Sequence, residues 1–195
     1  MTPFDHAELL EALASGDDER AEAAAVALSR LGDAALPAMR ELLARLDVDS
    51  RWWATRTIGG IDSAAAVQLL IGQCADPDPD VRACAIYALG ALGERAAEAV
   101  SMLVQRLGDS SVYVGQLAAD SLARIGRAAT PPLIDTLANG TPHVRGRAAR
   151  ALAQLADPAA IPALVAALDD DSPIVEYYAD IALQKLGVGM VLLKV

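Results

Sequence analysis

The sequence predicts an all-α protein, an α-α superhelix (a solenoid) built from helix pairs of about 31 residues. Three observations lead there. Alanine supplies 42 of the 195 residues and aromatics only 4%, so the 54% hydrophobic fraction is rich in small side chains that suit close-packed helices better than strands. An alanine and leucine pattern recurs at a nearly constant period. Turn residues fall at matching places in successive periods.

With Val81 set at zero, Ala85 stands at +4, Leu89 at +8, Leu92 at +11 and Gly93 at +12. The zero positions are Arg20, Ser50, Val81, Val114, Val144 and Val175, spaced by 30, 31, 33, 30 and 31 residues. All six copies keep Ala at +4 and Leu or Ile at +8 and +11. Offsets 0, 4, 8 and 11 share one face of a 3.6-residue helix, which makes them the buried stripe of the first helix in each repeat. Small residues at +7, among them Ala88 and Ser121, flank that stripe.

Taken in order, Leu9, Leu10 and Leu13 make residues 3–14 a half repeat, a second helix with no first helix before it. Full repeats start near 17, 47, 78, 111 and 141, and residues 172–195 form a last, truncated one, so that 1–195 is a single solenoid. Each first helix opens at −3 on a side chain able to cap it: Asp17, Asp47, Asp78, Ser111, Thr141 and Ser172. Pro79, Pro142 and Pro173 take the first helical position, where a missing N–H costs nothing. Gly32, Gly93, Gly126 and Gly187 suit the left-handed turn that ends the helix. The second helices carry quartets at i, i+3, i+4 and i+7: Met39, Leu42, Leu43 and Leu46; Val67, Leu70, Ile71 and Cys74; Val100, Leu103, Val104 and Leu107; Ile161, Leu164, Val165 and Leu168. After Gly187 the second helix shrinks to residues 188–195. Met190, Val191, Leu192 and Leu193 there lack the polar face of a terminal repeat and point to an oligomer contact with a second copy or to cover by a partner.

Charge narrows the partners. A net charge of −10 disfavours nucleic acid and anionic membranes, both of which need clustered Lys and Arg, and leaves a protein partner as the expectation. No charge-free apolar run reaches the ~18 residues of a membrane helix. Asp5, Glu8 and Glu11 in the first segment are unlike a secretory signal, so a cytoplasmic protein is expected, with Cys74 and Cys84 as free thiols. His6 and His143 lie far apart with no acid and nucleophile beside them, so no catalytic, metal or cofactor site is expected. Asp76, Asp78 and Asp80 lack the later bidentate Glu of a calcium loop and read as helix caps.

Two surface features stand out. Residues 121–156 hold Arg124, Arg127, Arg145, Arg147 and Arg150 against Asp135 alone, a local +4 that forms a basic patch for an anionic partner or keeps an alanine-rich helix soluble. Trp52 lies nearly opposite the buried stripe, where it anchors a partner or covers a turn.

The run Asp78-Pro79-Asp80-Val81-Arg82, followed by Ala85, Leu89, Gly90, Leu92 and Gly93, resembles the HEAT repeat family in its short, phycobilisome lyase-like form. The resemblance covers about residues 15–187. It implies a scaffold for protein–protein interaction or, as an alternative, a subunit that attaches or detaches a bilin pigment on an antenna protein. The family's di-iron hydroxylases use His-Glu pairs, whereas His6 and His143 here precede Ala7 and Val144. The family also implies a concave surface lined by the second helices. Opposite their buried stripes stand Glu41, Leu69, Glu98, Met102, Gln105 and Asp135, the expected partner contacts. A ladder of inter-repeat hydrogen bonds is implied at Arg51, Arg82 and Arg145, with Asp49 and Asp80 two residues before the first two. Gly115 and Glu176 replace the arginine, so the ladder is expected to break there.

Overall fold

The computed structural model describes residues 6–188, and these form helices and turns with no strand among them. The first helices of the repeats are α2 (Asp18–Ser29), α4 (Val48–Ile58), α6 (Pro79–Leu92), α8 (Val112–Ile125), α10 (Pro142–Leu155) and α12 (Pro173–Lys185). The second helices are α1 (His6–Leu13), α3 (Leu36–Leu43), α5 (Ala64–Gln73), α7 (Val100–Arg106), α9 (Thr130–Asn139) and α11 (Ile161–Ala166). Short 3₁₀ turns such as Gly32–Ala35 and Arg127–Ala129 lead from a first helix to its second. No helix among the described residues is long and apolar enough to cross a membrane. The chain forms two compact units, residues 1–89 and 90–195, with the boundary inside α6.

The first unit is organised by the predicted stripe. Ala24, Leu28, Ala54, Ile58, Ala85 and Leu89 are at most 2% exposed. Burying each leucine or isoleucine contributes roughly 1.5–3 kcal/mol. Glycine sets how closely the first helices approach. A Cβ on Gly59 would stand 2.8 Å from the Ala88 Cβ, and one on Gly60 would stand 2.8 Å from the Ser29 Cβ. Asp17 accepts from the N–H groups of Glu19 and Arg20, and Asp47 accepts from Ser50 N–H, so both cap their helices as their positions require. Leu46 departs from expectation. Helix α3 ends at Leu43, and Leu46, predicted to face the core, is 98% exposed in the loop, where its carbonyl accepts from Arg51 Nη1 at 2.8 Å.

In the second unit Ala118, Leu122, Ile125, Ala148, Leu152 and Ala179 are fully buried. Gly90 again marks a close approach: a Cβ there would lie 2.7 Å from the Ser121 Cβ. The first-helix ends use positive φ, with Gly93 at +59° and Gly126 at +92°, and Ala156 takes the same conformation at +51° without being glycine. Ser111 caps α8 through Val114 N–H, whereas Thr141 and Ser172 make no side-chain cap bond.

Successive repeats are joined by arginine at +1, but through a different acid from the one expected. Arg51 binds Asp76 at two points, Nε to Oδ2 at 2.8 Å and Nη2 to Oδ1 at 3.1 Å, and its Nη1 donates to the carbonyl of Leu46 in the loop after the preceding second helix. Arg145 repeats the arrangement on Asp170, with Nε to Oδ2 at 2.8 Å and Nη2 to Oδ1 at 2.7 Å, and on the Gly140 carbonyl. The acceptor is therefore the aspartate five positions before the next zero, not Asp49, which is exposed. Asp76 and Asp170 also accept from the N–H two residues on, which fixes the carboxylate for the guanidinium. Arg82 donates to the carbonyls of Asp76 and Pro77.

The arginine–aspartate rung is missing at Gly115, where the ladder was expected to break, but the slot is filled from another repeat. Arg147 reaches back from α10 and places its guanidinium where a side chain on residue 115 would begin, donating through Nη1 to the Leu107 carbonyl at the end of α7. Glu176, the other departure, is exposed.

Candidate functional site

The second helices present the residues singled out for partner contact. In the first unit Glu41 is exposed on α3 and Leu69 is half-buried on α5. In the second unit Met102 is half-buried and Gln105 exposed on α7, while Asp135 is exposed on α9. Glu98 is exposed too, but it belongs to the 3₁₀ turn Gly93–Ala99 before α7. Asp135 is partly engaged, since its Oδ1 accepts from the Asn139 amide at 2.9 Å. Small side chains such as Ala138 and Ala166 are exposed on α9 and α11. Chemically, the first unit offers a half-buried leucine and a carboxylate on its second helices, and the second unit a half-buried methionine, an amide and a carboxylate.

The basic segment resolves differently from its formal +4. Arg145 is tied to Asp170 and Asp171, and Arg150 Nη2 contacts Asp120 at 2.9 and 3.1 Å, where Gln154 also donates at 2.7 Å. Arg147 is 5% exposed. Burial draws its guanidinium below the usual arginine value, an effect partly offset by Asp109. Only Arg124 and Arg127 of the five stand exposed. A window of 121–156 begins one residue after Asp120 and ends before Asp170, so it counted the cations without their partners. The patch is corrected to a set of structural arginines with two at the surface.

Charge lies mostly in the other unit. Residues 1–89 hold seven Arg against fifteen Asp and Glu, so −8 of the −10 belongs there. Within that unit a cleft of about 460 Å³ is lined by Leu13, Asp18, Arg45, Asp47, Asp49 and Trp53. The Asp47 carboxyl sits below its ordinary range because the Ser50 side chain and N–H hydrogen-bond to it. Trp53 meets Trp52 edge to face at 4.8 Å and 89°, and both rings are half-buried. Trp52 thus packs on its neighbour rather than standing free. Among the described residues the more exposed aromatics are Tyr87, Tyr113 and Tyr177, at 57 to 62%, all on first helices, and Tyr177 shares the offset of Trp52.

Cys74 is buried and Cys84 half-buried, where burial pushes its thiol up to about 11. Met190, Val191, Leu192 and Leu193, assigned to an oligomer contact, lie outside the described residues. The aspartate acceptors were legible by one unused signal: Asp recurs at 76, 109 and 170, five before a zero, and gives way to Asn139 in the repeat that follows Gly115.

Comparison with known proteins agrees with this geometry. No curated protein matches the sequence. An archaeal HEAT-like repeats protein from Thermococcus onnurineus is similar in fold, with TM-score 0.64 and 16% identity over 95% of this chain and 82% of its own. So is a chain in the CpcE and CpcF complex of phycocyanin lyase from Nostoc, with TM-score 0.59 and 22% identity over 75% of this chain and 96% of its own. A designed armadillo repeat protein in complex with the peptide (KR)4 has TM-score 0.52 and 21% identity, over 92% and 98%. The family model for HEAT repeats matches residues 42–114 and 100–184, and on that match this chain belongs to the HEAT repeat family.

Proposed function

We propose that this chain is a non-catalytic scaffold that holds a protein partner on the faces of its second helices. The observation carrying this reading is the composition of that face in the second unit: half-buried Met102 beside exposed Gln105, with exposed Asp135 on the next second helix. An apolar anchor rimmed by polar groups is the pattern of a protein contact. The fold likeness to a repeat protein that carries a bound peptide supports a protein ligand. The elaborate ionic groups, Arg51 with Asp76 and Arg145 with Asp170, are absorbed in joining repeats. Photo-crosslinkers placed at Gln105 and at Tyr177, followed by mass spectrometry of adducts from the native host, test the reading. Adducts at 105 and none at 177 are expected; the reverse rejects the second-helix face.

A second reading is favoured by the likeness to the phycocyanin lyase complex: a subunit of a bilin lyase-type assembly. It requires bilin transfer to an antenna subunit, and absence of both pigment binding and transfer in reconstitution with that subunit rejects it.

A further inference from the structure

Three departures from the repeat pattern meet at one joint. Gly115 replaces arginine at +1, Asn139 replaces the aspartate acceptor five before the next zero, and Arg147 adds an arginine at +3 of that next repeat. The Arg147 side chain occupies the slot of the missing residue, with Nη1 donating to the Leu107 carbonyl and Nη2 3.4 Å from the Val112 carbonyl, while Nε has no partner. A Cβ on Gly115 would fall inside its guanidinium, 2.8 Å even from Nη2. The Asn139 amide is turned to Asp135 instead.

We propose that Arg147 is a latch that ties α7 and the start of α8 to α10 in place of the arginine–aspartate rung, and that this joint opens more readily than the Arg145–Asp170 joint after it. Arg145 forks onto a full counter-charge at Asp170, whereas the bonds of Arg147 end on neutral carbonyls. Arg147 gives up its hydration for two carbonyls and leaves one buried N–H unsatisfied, so little favours the closed over the open state. When the latch opens, Arg147 moves out toward solvent and α7 loses its C-terminal tether. Because α7 carries Met102 and Gln105, the latch also governs the contact helix of the scaffold reading, although the latch itself does not rest on that reading.

Native-state hydrogen exchange of the full chain, read by mass spectrometry, tests this. Peptides covering 100–116 in the wild type are expected to exchange at least tenfold faster than those covering 142–155. In Arg147→Leu they exchange at least tenfold faster again. The triple variant Gly115→Arg, Asn139→Asp, Arg147→Leu installs the ordinary rung and is expected to slow the same peptides at least tenfold, leaving 36–76 unchanged. Should Arg147→Leu fail to fold, the wild-type comparison and the triple variant decide. Equal protection of 100–116 and 142–155 in the wild type, or no slowing in a folded triple variant, overturns the proposal.

Discussion

Arg51 and Asp76, 25 residues apart in sequence, form a buried two-point ion pair that fastens the first helix of a repeat to the loop leading into the next. The same guanidinium also holds the loop after α3 through the Leu46 carbonyl, so a single side chain serves an ion pair and a loop. Arg51→Met leaves the Asp76 carboxylate buried without its counter-ion, and a loss of about 3 kcal/mol is expected in denaturant unfolding. Adding Asp76→Leu is expected to cost less than the sum of the single changes, because the second substitution removes the stranded charge.

Close approach of first helices depends on glycine. Gly90→Ala would drive a Cβ to within 2.7 Å of the Ser121 Cβ, and a loss of about 1–3 kcal/mol is expected. Ser121→Gly in the same chain should restore much of it, as measured by thermal unfolding. A Gly90→Ala variant as stable as the wild type would show that these helices are not in the contact described.

Ala156 holds φ +51° at the end of α10, where other repeats place glycine. A non-glycine residue is strained there, while glycine costs some unfolded-state entropy. Ala156→Gly is expected to stabilise the protein by about 0.5–1 kcal/mol, read as a higher denaturation midpoint.

Acid should loosen the second unit. Arg145, by hydrogen bonding first, and the Ser172 N–H hold the Asp170 carboxyl below its ordinary range, and the Ala159 N–H followed by Thr130 does the same for Asp157. A carboxyl whose value is depressed by folding contributes stability above its unfolded value of about 4, and that contribution is lost as pH falls toward the folded value. The unfolding temperature is expected to fall steadily below about pH 4. Asp170→Asn should lower it at neutral pH and flatten the acid limb. An unchanged acid limb in Asp170→Asn would contradict this assignment.

The repeat register was legible because offsets 4 and 8 report burial directly: Ala85 and Leu89 are core residues whatever their neighbours do, whereas at +11 Leu31, beside the turn, is 48% exposed. Leu46 was misplaced because hydrophobic spacing continues past Leu43, while the helix stops there and Arg51 takes the loop carbonyls. Arg147 was misread for a different reason. Its offset belongs to a flank of the helix, and only the absence of a side chain on Gly115, 32 residues earlier, gives it a buried slot. The basic patch failed likewise, since Asp120 comes from the preceding repeat and Asp170 from the far end of the same one, both outside the segment that holds the arginines. The contact face is less legible than the fold because exposure of Gln105 and Asp135 states where a partner has access, not what that partner is.

The most direct measurement is a calorimetric titration of the partner identified by crosslinking against three folded variants. Met102→Asp in the second unit and Leu69→Asp in the first are each expected to weaken binding at least tenfold, and Tyr177→Asp on a first helix to leave it unchanged. Unchanged affinity in Met102→Asp and Leu69→Asp, with binding lost in Tyr177→Asp, would contradict a scaffold that works through its second helices.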